Sequence, residues 1–483
     1  MVNPVEMVER LQIQASSQSD RLAIIDACRH QSISFAQLND AVAMAATQFA
    51  TQFQAFGIRT TATVLIVLPT SVQRSIEYWI MCIGLLKIGA TPHWVDPAVV
   101  LSPSEHNCTF PPADVLITSW KTHFLKVRSP ILRQIPMQFT IGFPLPGTNR
   151  LTIQGWTGGV RPAPSSTERE IDLVTQPTAV LANLSSGITS LILGKPADRW
   201  SGQSSGTMKP AKVIRQIQQY QPQTLTAAPV FLEQLATYSE QHALKLSSFR
   251  RISSDGAPMV PRLLDRLQTI APQAEVISVY GLTAPNSIAQ VTYRQIQMTE
   301  IAAMSAGKGL LVGYPNPDLS LKIIRERSDP FVSALTNQAF VAQCLPSRSI
   351  GKIVVKGEVR SDTLPKIPSP SSFQVDGVSW YSTGEVGYLD EQGYLWLMGQ
   401  CDTRIVDEQG VLYPFAVEVA ASFHDGVQRT VVDHQQGRRV LQIELKRSVA
   451  RDAKAREACL NTLKLVLGWA NIQDYQVVDR LPE

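Results

Sequence analysis

The sequence predicts an α/β protein on three observations. The run Val64-Leu65-Ile66-Val67-Leu68 is continuously apolar and stops at Pro69, as a strand buried on both faces should. Val72, Ile76, Trp79, Ile80 and Ile83 then recur at three- and four-residue steps before a second strand around Pro92 to Val95, and that period marks a helix with one apolar face. Strand, helix and strand in that order build a mostly parallel sheet with helices packed on it. After Gly313 the pattern turns alternating and turn-rich, which predicts an antiparallel, barrel-like subdomain behind the parallel layers.

In chain order, Thr70-Ser71-Val72-Gln73 reads as a capping box opening the first of these helices. At its far end Lys87 offers a cation to the negative helix pole and Gly89 a left-handed cap. Further units are predicted at Thr224 to Ala228, at Arg251-Ile252-Ser253 with a helix from Pro261 to Ile270, and at Val276-Ile277-Ser278-Val279. The alternating strands are Leu319 to Ile324 and Gly351 to Gly357. Asp329 to Ser349 and Ser361 to Phe373, rich in Pro and Ser, are expected as long loops. From about Asp402 a compact α+β unit is expected, with a strand Thr430 to Asp433, a turn at Gln436-Gly437, a strand Val440 to Leu445 and a helix from Ala453 to Leu467. At 483 residues the chain exceeds the size at which one core stops growing, so a large domain plus a small one is expected.

Composition excludes some functions. Apolar content of 44% and charged content of 17% describe an ordinary globular protein. A net charge of +4, with lysines and arginines scattered along the sequence, lacks the footprint of a nucleic-acid binder. The six cysteines make no C-x-x-C pair, which argues against a metal site or a disulfide framework and fits a reducing cytoplasm. Met1 to Glu6 shows no signal-peptide pattern. The apolar run Tyr78 to Leu86 is shorter than the roughly 20 residues that cross a bilayer, so no membrane span is expected; peripheral membrane association stays open.

The run Trp380-Tyr381-Ser382-Thr383-Gly384-Glu385-Val386-Gly387-Tyr388-Leu389-Asp390, followed by Gly393-Tyr394-Leu395-Trp396 and Gly399-Gln400-Cys401-Asp402, resembles the ribose-binding and hinge segment of the adenylate-forming superfamily. That superfamily includes acyl-CoA synthetases, luciferases and peptide-synthetase adenylation domains. Asp20 to Ile25, Ile33 to Leu38, and Leu86-Lys87-Ile88-Gly89-Ala90 through Asp96-Pro97 are similar to earlier segments of such enzymes, in the right order. Asp96-Pro97-Ala98, Gly384 to Gly393 and Leu412-Tyr413-Pro414 most resemble the olefin β-lactone synthetase type. The resemblance implies an AMP-binding N-terminal domain over residues 1–400, its barrel-like part at about 310–400, and a small C-terminal lid domain over 402–483.

It also places roles on particular residues. Ser185, Ser186, Gly187 and Thr189 stand where the family cradles ATP phosphates, but the expected Pro-Lys falls on Ile192-Leu193 and Lys195 lies two residues on. A polar turn without a ligand is the other reading of that stretch. Gly256, Ala257 and Pro258, after Asp255, match the loop against which adenine packs, or else form a plain strand-to-helix turn. Tyr280, Gly281 and Thr283 match the next motif, with Tyr280 stacking on the base and Thr283 near the phosphate. Ala284 replaces the acid that holds magnesium, and alanine cannot ligate a metal. Glu385 stands at the acid that grips the ribose hydroxyls, or is an exposed turn carboxylate. Gln400 replaces an arginine and Val406 a lysine, while Asp402 keeps the hinge position. Val478 to Glu483 corresponds to the stretch before the family's catalytic lysine, which is absent from this sequence. His93, Trp94 and His106 are expected as packed residues, and Cys401 as a neutral replacement.

The resemblance therefore implies ATP or AMP as ligand, with magnesium in doubt, and activation of a fatty β-hydroxy acid carboxylate as an acyl-adenylate. The replaced charges point to impaired or altered chemistry, and no residue is assigned a catalytic or metal-binding role. Three readings stay open: a ligase completed by a partner protein that supplies the missing groups, an inactive pseudoenzyme that regulates or scaffolds a relative, and a paralogue without ligand.

Overall fold

The computed structural model describes residues 4–69, 75–95, 97, 100, 112–141, 148–151, 161–162, 170–175, 177–193, 209–254, 256–281, 287–326, 334–356 and 372–481. They form two compact units, Met1–Thr226 with Ser248–Arg250, and Ala227–Ser247 with Arg251–Glu483. The chain is α/β, as its strand-helix-strand pattern predicts.

In the first unit an all-parallel five-stranded sheet runs in the order Thr91–Trp94, Thr63–Val67, Val115–Ser119, Met137–Ile141, Asn149–Leu151. Val64 to Val67 are all buried, which explains why that run carries no alternating polar face. A second group of strands lies in the order Arg161–Pro162, Gln31–Ser34, Leu22–Asp26, Thr189–Ile192, Ile171–Val174, Thr224–Ala227. The last four are parallel, and Gln31–Ser34 is antiparallel to its neighbours.

The helix Phe35–Ala55 opens on a capping box, Ser34 accepting the Gln37 N–H while the Gln37 side chain accepts the Ser34 N–H. The helix Ile76–Lys87 has Ser75 as its N-cap, 3.2 Å from the Tyr78 nitrogen, and ends at Gly89 with φ +89°. The capping box expected at Thr70 to Gln73 lies outside the described residues. These two helices share a buried cluster with Leu38, Val42, Phe49, Trp79 and Ile83. They are in close contact at Gly84, where an added Cβ would lie 2.9 Å from the Ala45 Cβ.

In the second unit the parallel pair Arg251–Ser254 and Glu275–Gly281 is joined through the helix Pro261–Ile270. From Glu275–Gly281 the order continues Ser287–Thr292, Leu310–Pro315, Leu395–Gln400, Val378–Leu389, Gly351–Lys356, Ser320–Ile324, antiparallel at every step. Part of what reads as loop is ordered. Ala334–Leu335 is a short strand, Asn337–Val341 a short helix capped by Thr336, and Ser372–Val375 pairs with Val378–Leu389. Phe340, Phe373 and Trp380 anchor these pieces in one buried cluster, which the surrounding Pro and Ser conceal in the sequence. The remainder of both predicted loops, 329–333 and 361–371, lies outside the described residues.

The C-terminal segment of this unit has its own core of Val417, Leu441, Ile443, Leu463 and Leu467. A hairpin of Ile405–Asp407 and Gly410–Leu412 leads to the helix Pro414–Ser422 and a three-stranded sheet of Val427–Gln435, Arg438–Leu445 and Asp474–Val478. The helix Ala453–Val466 is capped by Asp452, whose carboxylate accepts the Lys454 and Ala455 N–H groups. Buried Arg439 ties the hairpin to the sheet: it donates to both Asp407 oxygens at 2.7 Å and to the carbonyls of Gly410 and Ala470.

Three further contacts fasten this segment. The Arg262 guanidinium donates to the carbonyls of Ser422, His424 and Asp425 at the negative end of the helix Pro414–Ser422. Trp469 lies over Gly307, where an added Cβ would come within 2.3 Å of its ring. Glu326 pairs with Arg404 and accepts the Tyr413 hydroxyl at 3.2 Å. Among the described residues no helix is long and apolar enough to cross a membrane, and Cys28, Cys82, Cys344, Cys401 and Cys459 are free thiols.

Candidate functional site

Tyr280 sits near the carboxyl end of the strand Glu275–Gly281, and Gly256, Ala257 and Pro258 follow the carboxyl end of its parallel neighbour Arg251–Ser254. Open α/β sheets bind ligands at such strand ends. Two serines hold this geometry. Ser278 Oγ accepts the Met259 N–H at 2.7 Å, and Ser254 Oγ accepts the Val279 N–H at 2.7 Å. Both hydroxyls are buried; the first pins the loop to the strand beside it, and the second ties the two strands together at their carboxyl ends. The resemblance did not single them out; the signal was there in polar residues at inward positions.

Gly256 is exposed with φ +78°, and an added Cβ there would meet nothing within 4 Å among the described residues. Its backbone is therefore exposed to an approaching flat group. Gly281 has φ +97°, and a side chain there would run into Ile288, 2.7 Å away.

Tyr280 is 2% exposed, and its hydroxyl donates to the carboxylate of Glu385. Burial, then the Glu385 charge, push the phenol well above its ordinary range. Burial likewise raises the Glu385 carboxyl, and the bond from Tyr280 pulls it partly back. Glu385 is partly buried, not the exposed turn carboxylate of the plainer reading. Gly384, at φ +82°, turns the chain before it. Thr383 Oγ1 accepts the Glu385 N–H at 3.2 Å while donating to the Ile353 carbonyl, so the acid is fixed from its own strand and from the next. Beside it, burial pushes the Cys401 thiol up, and Lys352 opposes that shift. A thiol held protonated is a poor nucleophile. Asp402, the expected hinge, is exposed.

The residues expected at the phosphates lie in the first unit. Ser185 and Ser186 form the last turn of the helix Pro177–Ser186, Gly187 follows at φ +72°, and Thr189 opens the strand Thr189–Ile192. Ser185 Oγ donates to the Leu181 carbonyl and Thr189 Oγ1 to the Leu22 carbonyl, at 3.0 and 2.7 Å. Gln14 and Gln18, bonded to each other, cover Gly187, where an added Cβ would fall 2.2 Å from Gln18 Nε2. The stretch thus presents a helix C-terminus, the negative end of the dipole, with the Ser185 and Thr189 hydroxyls already engaged. Nearby, buried Asp172 accepts from Asn183 and Thr224, and burial raises its carboxyl. Lys195, Asp255, Thr283 and Ala284 lie outside the described residues, as do Asp96 and His106.

Of the residues expected to be merely packed, His93 is partly buried and pushed down by that burial. Trp94 donates its indole N–H to the Cys82 sulfur at 3.3 Å, and burial drives that thiol up to about 12. No three His, Cys, Asp or Glu side chains among the described residues converge as a metal cage would need. A magnesium carried by ATP needs fewer, since phosphates and water complete its shell.

Residues 175–358 match the AMP-binding enzyme family. The chain is 28% identical over 271 residues to the olefin β-lactone synthetase of Stenotrophomonas maltophilia, a match covering 54% of this chain and 46% of that protein. It is 25% identical over 221 residues to the 2-succinylbenzoate–CoA ligase of Enterococcus faecalis, covering 46% and 40%. The chain spans about half the length of the curated relatives it matches. Among solved structures, the amide bond synthetase of Marinactinospora thermotolerans matches with TM-score 0.68 at 17% identity, covering 99% of this chain and 96% of that one. The O-succinylbenzoate coenzyme A synthetase of Bacillus subtilis in complex with AMP matches with TM-score 0.63 at 17% identity, covering 98% and 95%. At such identity these two speak for the fold. Sequence and architecture agree: residues 175–358 are similar to an AMP-binding enzyme domain, and the chain shares the fold of these solved structures.

Proposed function

We propose that this protein binds the adenosine side of an acyl-adenylate at Gly256, Tyr280 and Glu385, and that its ATP-driven activation of a fatty β-hydroxy acid carboxylate is severely slowed. The carrying observation is a contrast within the chain. The carboxyl ends of two parallel strands offer an open glycine beside a fixed phenol–carboxylate pair. The Ser185 and Thr189 hydroxyls, by contrast, are spent on backbone carbonyls, and Gly187 is covered. Ala284 and Gln400, standing where relatives place an acid and an arginine, remove two further charges. Each lost charge-stabilising contact costs on the order of 2.7–4 kcal/mol of barrier, about a hundredfold or more in rate. The fatty β-hydroxy acid follows from the resemblance to olefin β-lactone synthetases.

Ala284 and Gln400 also favour a second reading, a pseudoenzyme that binds nucleotide or acyl chain and regulates or scaffolds an active partner. Isothermal titration with ATP and magnesium, with AMP and with a long-chain acyl-adenylate analogue tests both, alongside ATP–pyrophosphate exchange. Binding of AMP and the analogue with weak exchange is the expected result. Binding with no exchange moves the protein to the second reading, and no binding of any nucleotide overturns both.

A further inference from the structure

Between Asp114 and Glu168 the sequence holds no Asp or Glu and six basic residues, Lys121, Lys126, Arg128, Arg133, Arg150 and Arg161. Four of the six fall within residues 120–134. A turn leads into the short helices Leu125–Arg128 and Pro130–Gln134, and this segment is apolar on two sides. Its inner side puts Leu125, Leu132 and the following Ile135 into a buried cluster with Leu65, Val67 and Leu116. Its outer side leaves Trp120 50%, Phe124 59%, Val127 73% and Ile131 46% exposed. Single exposed apolar residues are common, but four in one short segment are not explained by packing.

Charge identifies the occupant. In the same segment Lys121 and Arg133 are exposed and Lys126 is partly buried, with the Lys121 ammonium 5.5 Å from the centre of the Trp120 ring. Indole and phenyl rings interleaved with lysine and arginine stems suit the headgroup region of an anionic bilayer: the rings enter the acyl boundary while the cations stay at the phosphates. We propose that Trp120, Phe124, Val127 and Ile131, with Lys121, Lys126 and Arg133, form a docking surface for an anionic membrane. This surface lies wholly in the first unit and does not rest on the nucleotide reading.

The test is flotation of the full chain with vesicles of phosphatidylglycerol and phosphatidylcholine, compared with phosphatidylcholine alone. The wild type is expected to float with the anionic vesicles and to be released by salt. Phe124→Ser with Val127→Ser, and separately Lys121→Glu with Arg133→Glu, are expected to lower partitioning at least about tenfold. All four side chains are exposed, so circular dichroism and the melting temperature stay unchanged. Absence of flotation, or flotation untouched by either pair, overturns the proposal. So does a Phe124-dependent dimer in sedimentation without vesicle binding, which would assign the surface to a second copy of the chain. No nucleotide enters the experiment, so its failure leaves the adenosine site untouched.

Discussion

The Tyr280 hydroxyl donates its hydrogen bond to the Glu385 carboxylate, joining residues 105 positions apart. On the proposed reading the phenol holds the acid where a ribose hydroxyl would donate, so a nucleotide bound there exchanges its own hydrogen bond for this one. Tyr280→Phe keeps the ring and removes the donor. Hydrogen bonds to charged groups are worth about 1.5–3 kcal/mol, so AMP is expected to bind roughly tenfold tighter or better. Calorimetric titration of both proteins with AMP decides it; weaker binding by the variant would show that the hydroxyl serves the nucleotide directly.

The same acid governs a pH dependence. Burial raises the Glu385 carboxyl, so the folded protein keeps a proton that the unfolded chain has already released. Its contribution to stability is fully present below the unfolded value and is lost as pH rises through the folded one. Asp26, Asp172 and Glu418, also raised by burial, add slopes of the same sign. Asp407 is held down by Arg439, so its contribution is present above the unfolded value and lost as pH falls. Glu385→Gln can still accept from Tyr280 but does not titrate. The melting temperature of the wild type minus that of the variant is expected to fall as pH rises through the carboxylate range; a difference independent of pH would contradict the assignment.

Gly84 marks a helix crossing with no room for a methyl group. Gly84→Ala gains about 1 kcal/mol of helix propensity but forces the two helices apart against Ala45. Overpacking of this kind costs about 1–3 kcal/mol, so net destabilisation is expected in denaturant unfolding. Adding Ala45→Gly should return part of that loss, and a double variant no better than the single one would place the strain elsewhere.

The slowed-activation reading predicts partial repair. Ala284→Glu restores a carboxylate and Gln400→Arg a forked cation at positions where relatives carry them. Together they are expected to raise ATP–pyrophosphate exchange by about a hundredfold, with each alone giving less, because such groups act as a unit. If exchange stays flat although AMP still binds, the engaged hydroxyls of Ser185 and Thr189 are the dominant barrier.

Much of the fold was legible because local periodicity decides it. The helix Pro261–Ile270 matches its predicted bounds, and the predicted strands and helix of the C-terminal segment lie within a few residues of theirs. The parallel strand Asp474–Val478 escaped, since a five-residue strand at intermediate burial has no clear period. The site was less legible. That Gln14 and Gln18 cover Gly187, or that Tyr280 meets Glu385, depends on register between distant segments, which no window of sequence contains. Ser185 looks the same in sequence whether its hydroxyl faces a phosphate or the Leu181 carbonyl.

Arg262, Gly307 and Glu326 precede in the chain the groups that dock on them: the carbonyls of 422–425, Trp469, and Arg404 with Tyr413. During synthesis the receiving surface has therefore left the ribosome before the arriving segment is made. These contacts therefore form in one direction along the chain, the receiving positions first and the segment after Gln400 later. A chain stalled near Gln400 would lack the partners of all three positions, leaving Gly307 without the Trp469 ring that covers it.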